Sequence, residues 1–265
     1  MSERAFSLLR GSTPLVLSLP HVGTLIPDTL KSSYVPRALQ VEDTDWHLDR
    51  LYAFAADLGA SIIVPKISRY VIDLNRPPDD APMYPGASNT ELCPTRFFSG
   101  EPLYAEGTAP DASEVSRRRT TYWQPYHDAL RVELDRVCAQ FGYALLWDGH
   151  SIRSEISWLF DGKLPDLNLG TASGASCAGS LRTALMNEMQ RGSQFTHATD
   201  GRFKGGYITR HYGCPAQNVH AVQMEMCQSL YMQESLPFTY LDTRAQDVQP
   251  HLQRLLEIML AWRPQ

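Results

Sequence analysis

Pro14-Leu15-Val16-Leu17-Ser18-Leu19-Pro20 is a short, strongly apolar run that passes straight into His21. A second run, Tyr143-Ala144-Leu145-Leu146-Trp147-Asp148-Gly149, passes into His150 in the same way. Short apolar runs closed by Gly or Pro read as strands buried within an α/β sheet. Sheets of that kind bind ligands in the crevice beyond the carboxyl ends of their strands. Two imidazoles delivered to that edge, with several acids available, point to a metal site rather than to core packing.

The rest of the pattern alternates as an α/β chain should. A strand at about 14–19 precedes a helix from about 45 to 58, where Leu48, Leu51, Tyr52, Ala55 and Leu58 recur at helical spacing and Gly59 suits a C-cap. Residues 61–65 and 70–74 read as two strands in quick succession. Residues 77–112 carry many Pro, Gly, Asp and Ser without periodicity, and a loop of that length is usually functional or a lid. A long helix follows over about 113–140, adjusted near Pro125 because proline interrupts the hydrogen-bond ladder. A strand at 143–148, a loop-rich stretch over 162–179, a helix at 180–190, a strand at 219–226 and a helix over about 243–262 complete the chain. With no internal repeat or linker, the expected architecture is a single α/β domain over 1–265. Its sheet should be mixed, mostly parallel and flanked by helices.

Composition narrows the function. The net charge of −5 is not that of a broad nucleic-acid surface, which needs a basic excess. Arg117-Arg118-Arg119 is the one basic cluster, and it reads as the solvated face of a helix. No apolar stretch approaches the ~20 residues that span a bilayer. The N-terminus has no leader pattern, so a cytoplasmic location without membrane partners is expected. The five cysteines are scattered without a CxxC pair, which indicates free, mostly buried thiols. The common nucleotide, P-loop, serine-hydrolase and HExxH motifs are absent. Oligomeric state is left open.

Catalytic zinc sites typically use three protein ligands, often two His and a carboxylate, and leave one position for water. His21 and His150 supply the imidazoles. The acid comes from Glu42-Asp43-Thr44-Asp45, with Asp45 favoured beside the expected helix and Asp43 its main rival. In Arg69-Tyr70-Val71-Ile72-Asp73-Leu74-Asn75-Arg76, the polar end of an apolar run puts Asn75 and Arg76 at the rim. Arg76 offers the planar fork that grips a carboxylate, although a local Asp73–Arg76 ion pair is the plainer reading. Glu225, among methionines near the end of a strand, is costly to bury without a role. Burial would raise its pKa and suit a general base, the structural alternative being a salt bridge with an arginine. Gly205-Gly206 permits close backbone approach, and Thr209 with Arg210 could hold an anion. His47 and His127 fall on expected helices as surface or capping residues.

These motifs resemble the N-formylglutamate deformylase (N-formylglutamate amidohydrolase) family, which acts in histidine degradation. The resemblance runs from about Pro14 to about Met232. It rests on Pro20-His21-Val22-Gly23, the segments Glu42 to Tyr52 and Ser68 to Pro77, Asp148-Gly149-His150-Ser151, Gly205 to Gly213, and Gln223-Met224-Glu225. It implies similarity to zinc carboxypeptidases and aspartoacylases, whose glutamate ligand three residues after the first histidine is here Thr24. It further implies one Zn²⁺ on His21, Asp45 and His150, with Glu225 as base and Arg69 stabilising an oxyanion. Arg76, Asn75, Thr209 and Arg210 would then bind a small anionic substrate. A related amidohydrolase or carboxypeptidase for other N-acyl amino acids is the alternative enzyme. The alternative outside enzymes is a silent module that binds acidic amino-acid derivatives.

Overall fold

A computed structural model describes residues 5–83, 90–191 and 194–264. In chain order its elements are β1 (Phe6–Leu9), β2 (Leu15–Ser18), α1 (Asp28–Lys31), α2 (Leu48–Leu51), β3 (Ser61–Pro65), α3 (Ala112–Arg118) and α4 (Gln124–Phe141). They continue with β4 (Ala144–Ile152), β5 (Leu167–Gly170), α5 (Gly179–Gln190), β6 (His197–Thr199), α6 (Tyr207–Tyr212), β7 (Val219–Cys227) and α7 (Asp242–Ala261). The strands form one seven-stranded sheet in the order β1-β3-β2-β4-β7-β5-β6. β3, β2, β4 and β7 run parallel, whereas β1 and β5 pair antiparallel with β3 and β7. The expected mixed sheet flanked by helices is therefore the observed one.

Side-chain alternation along the strands builds two cores. Leu15, Leu17, Leu145, Trp147, Val222 and Met224 face α2, α5 and α7, while Val16, Leu146 and Ala221 face α4 and α6. From β2 the chain moves outward to β3 and later returns to β4 on β2's other side. The carboxyl ends of β2 and β4 thus flank a topological switch point, where such sheets open a crevice. The register pairs Ser18 with Asp148 and His150 with Glu225. Both expected histidine-bearing ends and the methionine-flanked acid consequently reach one edge.

Several elements differ from the sequence reading. The helix expected over 45–58 is reduced to α2, which starts only after His47 takes a left-handed conformation (φ 62), and a 3-10 turn at Ala53–Ala55 beyond the non-helical Tyr52 (φ -93, ψ 14). The tertiary bond from His47 Nε2 to the Phe238 carbonyl (2.7 Å) accompanies that turn. Residues 70–74 are buried but do not form a strand. Their carbonyls are taken by side chains instead: Tyr34 bonds that of Tyr70, Arg118 that of Val71 and His127 that of Leu74. β5 lies inside the stretch read as loop, and β1 and β6 were too short to show periodicity. The long helix is adjusted as expected, by a π turn at Arg119–Trp123 immediately before Pro125. Arg118 is buried rather than solvated, and so is His127. Part of the expected loop 77–112, residues 84–89, lies outside the described residues. All five cysteines are free. No helix among the described residues is long and apolar enough to cross a membrane.

His127 generates a pH prediction. Burial pushes its imidazole from the usual 6.5 down to about 3. Between those values the unfolded chain takes up a proton that the folded one does not, so stability is complete above pH 6.5 and declines as pH falls toward 3. The slope attributable to one group is ~1.4 kcal/mol per pH unit. In urea titrations between pH 6 and pH 4, His127→Gln should show a shallower loss of stability than the wild-type chain. Equal slopes would mean that His127 is already protonated in the folded protein.

Candidate active site

Three polar side chains converge where β2 and β4 end. His21 leaves β2 through Leu19 and Pro20, and its carbonyl accepts the backbone N–H of Asp45 (3.0 Å), which pins the acidic segment to the strand end. Gly23 is required here by space, since a Cβ would sit 2.3 Å from the Ile67 carbonyl oxygen. His150 lies within β4 itself. The two Nδ1 atoms are 3.2 Å apart, and Asp45 Oδ2 lies 3.1 Å from that of His150 and 3.5 Å from that of His21. All three residues are buried, with exposures of 3%, 1% and 3% for His21, Asp45 and His150.

The far nitrogens of both rings meet acids. His21 Nε2 bonds Asp73 Oδ1 (2.7 Å), and His150 Nε2 lies 3.2 Å from Asp148 Oδ2. The carboxylate behind His21 fixes the tautomer that leaves its Nδ1 as a donor to a metal. Tetrahedral ligands ~2.0–2.1 Å from zinc stand about 3.3 Å from one another, a spacing that the three atoms nearly match. Asp45 Oδ1 is buried without a hydrogen-bond partner. Burial opposes charge on His150, but Asp148 and Asp45 outweigh it and hold the imidazole well above its usual value. Burial likewise opposes charge on Asp45, yet His21 and His150 hold its carboxyl low. This triad can hold a metal, and its electrostatics favour positive charge at its centre.

The rival acids have other work. Asp43 Oδ2 accepts from the Tyr70 hydroxyl (2.8 Å) and the Phe98 N–H (2.9 Å), while Oδ1 accepts from Arg153 (3.0 Å). Glu42 pairs with Arg37, and Thr24 is exposed. Arg69, buried, places NH2 on Asp73 Oδ2 (2.8 Å) and NH1 3.2 Å from His21 Nδ1, beside the triad. Glu225 faces the same space from β7. Burial pushes its carboxyl up to about 8, and its neighbour Gln223 reaches it through a long bond of 3.4 Å.

A cleft opens above these groups. Asn75 and Arg76 line it, as expected. Asn75 Nδ2 lies 2.9 Å from His150 Nε2, and its Oδ1 accepts the N–H of Ile208 (2.8 Å). That close approach needs Gly206, where a Cβ would fall 2.3 Å from the Asn75 amide. Arg76 is oriented by Thr90 and by the Asn75 carbonyl, and Trp123 Nε1 donates to the Arg76 carbonyl (3.0 Å). Thr209 is buried and donates to Asp148 (3.2 Å) instead of lining the cleft. Arg210 is exposed on α6 with Nε on the Gly205 carbonyl (2.7 Å), also outside the lining.

A family model described as N-formylglutamate amidohydrolase matches residues 13–232. The chain belongs to this family. It is 52% identical to an N-formylglutamate deformylase of Pseudomonas putida over 98% of this chain and 97% of that protein. A Pseudomonas aeruginosa protein of the same name is 49% identical over the same shares. The crystal structure of an N-formylglutamate amidohydrolase from Ralstonia eutropha JMP134 superposes with a TM-score of 0.81 at 24% identity, covering 98% of this chain and all (100%) of that one. A gene product of Agrobacterium tumefaciens shares the fold at a TM-score of 0.76 and 16% identity, over 98% and 96% of the two chains.

Within this member of the N-formylglutamate amidohydrolase family, sequence reasoning missed Phe98, Leu159, Arg202 and Phe203 on the cleft walls. None lies at a strand end or at ligand spacing. Only the Gly-flanked pair Arg202-Phe203, just before Gly205-Gly206, carried a local signal. His21→Ala and His150→Ala should each remove most of about one divalent ion per chain by elemental analysis. Asp45→Asn should do the same while Asp43→Asn keeps the ion. The reverse order for the two aspartates would transfer the ligand role to Asp43.

Proposed function

We propose that this chain hydrolyses N-formyl-L-glutamate to L-glutamate and formate in histidine degradation, with one zinc ion held by His21, Asp45 and His150. The observation that carries the reading is the convergence of three donor atoms in one cleft with a proton-accepting acid and arginines. Family membership supplies the substrate class. A divalent ion bound there supplies Lewis acidity, which lowers the pKa of water from ~15.7 toward ~7.

The chain's own residues do the rest. Glu225, buried in the cleft beside the triad, takes the proton of the attacking water as the oxygen closes on the formyl carbon. It then returns that proton to the leaving amide nitrogen, so the carboxyl ends as it began. Arg69 stands beside His21 and Asp45 with its guanidinium over the Phe98 ring (4.5 Å). From there it donates to the oxygen that gains charge in the tetrahedral transition state. Arg76, fixed by Thr90, grips the α-carboxylate next to the scissile bond.

Formate release from N-formyl-L-glutamate by the zinc-loaded chain tests the assignment, and a chain unable to release it would be a different hydrolase. Glu225→Gln should retain metal and fold but lose about 10²–10⁴ in kcat. Near-normal turnover by that variant would return Glu225 to a structural role. Arg76→Lys keeps the charge but loses the two-pronged geometry, so kcat/KM should fall by at least about tenfold. Unchanged kinetics would remove Arg76 from the substrate's contacts.

A further inference from the structure

Arg76 and Arg202 face the cleft from different walls, and their surroundings differ. Arg76 belongs to the segment that builds the triad: its NH2 is 3.9 Å from Asp73 Oδ2, and Asp73 in turn bonds His21. It therefore stands near the scissile bond. Arg202 belongs to the outer wall. Its Nε and NH2 reach the Leu159 carbonyl at 3.4 and 3.3 Å, and its guanidinium carbon lies 5.4 Å from the centre of the Phe203 ring. Leu159, Phe203 and Ile152 make the wall beside it apolar.

The segment that carries Arg202 is anchored on both sides. Asp200 (φ 51) accepts from the Thr171 N–H (2.7 Å) and hydroxyl (2.6 Å), from the Ser173 N–H (3.2 Å) and from Arg182 (3.0 Å). Ala172 N–H bonds the Lys204 carbonyl (2.6 Å), and Gly206 N–H bonds Gln223 Oε1 (2.7 Å). A guanidinium on so fixed a support loses little freedom when it meets a ligand, which is what discrimination requires.

We propose that Arg202 is the specificity-determining residue of this cleft, gripping the side-chain carboxylate of the N-formyl amino acid. The inference rests on the amidohydrolase reading above. The glutamate side chain is two methylenes ended by an anion. Laid away from the triad, its stem meets Leu159, Phe203 and Ile152, and its charge meets Arg202. The sequence reading put Arg210 among the residues that bind the anionic substrate, but it lies outside the cleft lining. An acid-tipped side chain thus meets a charge of opposite sign at the end of its stem, and a neutral one does not.

The test is kcat/KM of the zinc-loaded enzyme for N-formyl-L-glutamate and N-formyl-L-glutamine, in wild type, Arg202→Gln, Arg202→Lys and Arg210→Gln. Wild type should prefer the acid by roughly 10²-fold or more. Arg202→Gln should collapse that preference toward unity through loss of the glutamate reaction, with metal content retained. Arg202→Lys should fall between the two, and Arg210→Gln should keep the wild-type ratio. An undiminished ratio in a folded Arg202→Gln or Arg202→Lys enzyme would overturn the assignment, as would its collapse in Arg210→Gln alone. Equal wild-type rates on the two substrates would overturn it too while leaving the deformylase reading intact. A wild-type enzyme that hydrolyses neither would fail at that underlying reading.

Discussion

The carboxylate of Asp73 is the interaction on which the site depends. It has no exposure to solvent, and it bonds His21 Nε2, Arg69 NH2 and the Asn75 N–H at 2.7, 2.8 and 2.8 Å. Burial opposes its charge, but His21, Arg76 and Arg69 outweigh that and hold it well below the usual carboxylate range. One group thereby sets the tautomer of an imidazole, aims a guanidinium and starts the turn that presents Asn75 and Arg76. Breaking a buried charge pair from one side typically costs about 3–5 kcal/mol, because the other charge is stranded. Function and stability are coupled here through the same oxygen atoms.

Among the described residues no neighbouring strand satisfies the segment bearing Asp73, and helix side chains take that place. Arg118, His127 and Trp123 bond the carbonyls of Val71, Leu74 and Arg76. The last two donors flank the start of α4, just beyond the π turn that relieves Pro125. A buried carbonyl left without a donor costs about 1–3 kcal/mol, so these bonds keep an irregular segment as defined as a strand. The geometry of the triad is thus supported from behind by the long helix as well as from below by the sheet.

An acidic chain handling an anionic substrate is consistent once charge is mapped onto the cleft. The net charge of −5 is a sum over the whole chain. Among the described residues the acids bordering the cleft are Asp45, committed to the triad, and Glu225, while Arg69, Arg76 and Arg202 face the same space. A concave surface with low-dielectric walls focuses such local potential independently of net charge.

Patterning along the sequence determined the buried parallel strands, their order with the helices, and the delivery of His21, His150 and Glu225 to one sheet edge. A strand's hydrophobicity and its carboxyl end are local properties, so they can be read without a fold. The same reasoning failed at 70–74, where an apolar run is buried by two separate clusters and its backbone is satisfied by distant side chains. It also put a helix start at about 45, where the chain is instead held by His21 and turned at His47. Which acid meets the two imidazoles, Asp45 rather than Asp43, was decided only by tertiary structure. The two differ not in chemistry but in which neighbours claim their oxygens. Arg202 entered the cleft, and Arg210 did not, for the same reason: the wall a side chain faces depends on what its segment packs against, and that contact is made across the fold.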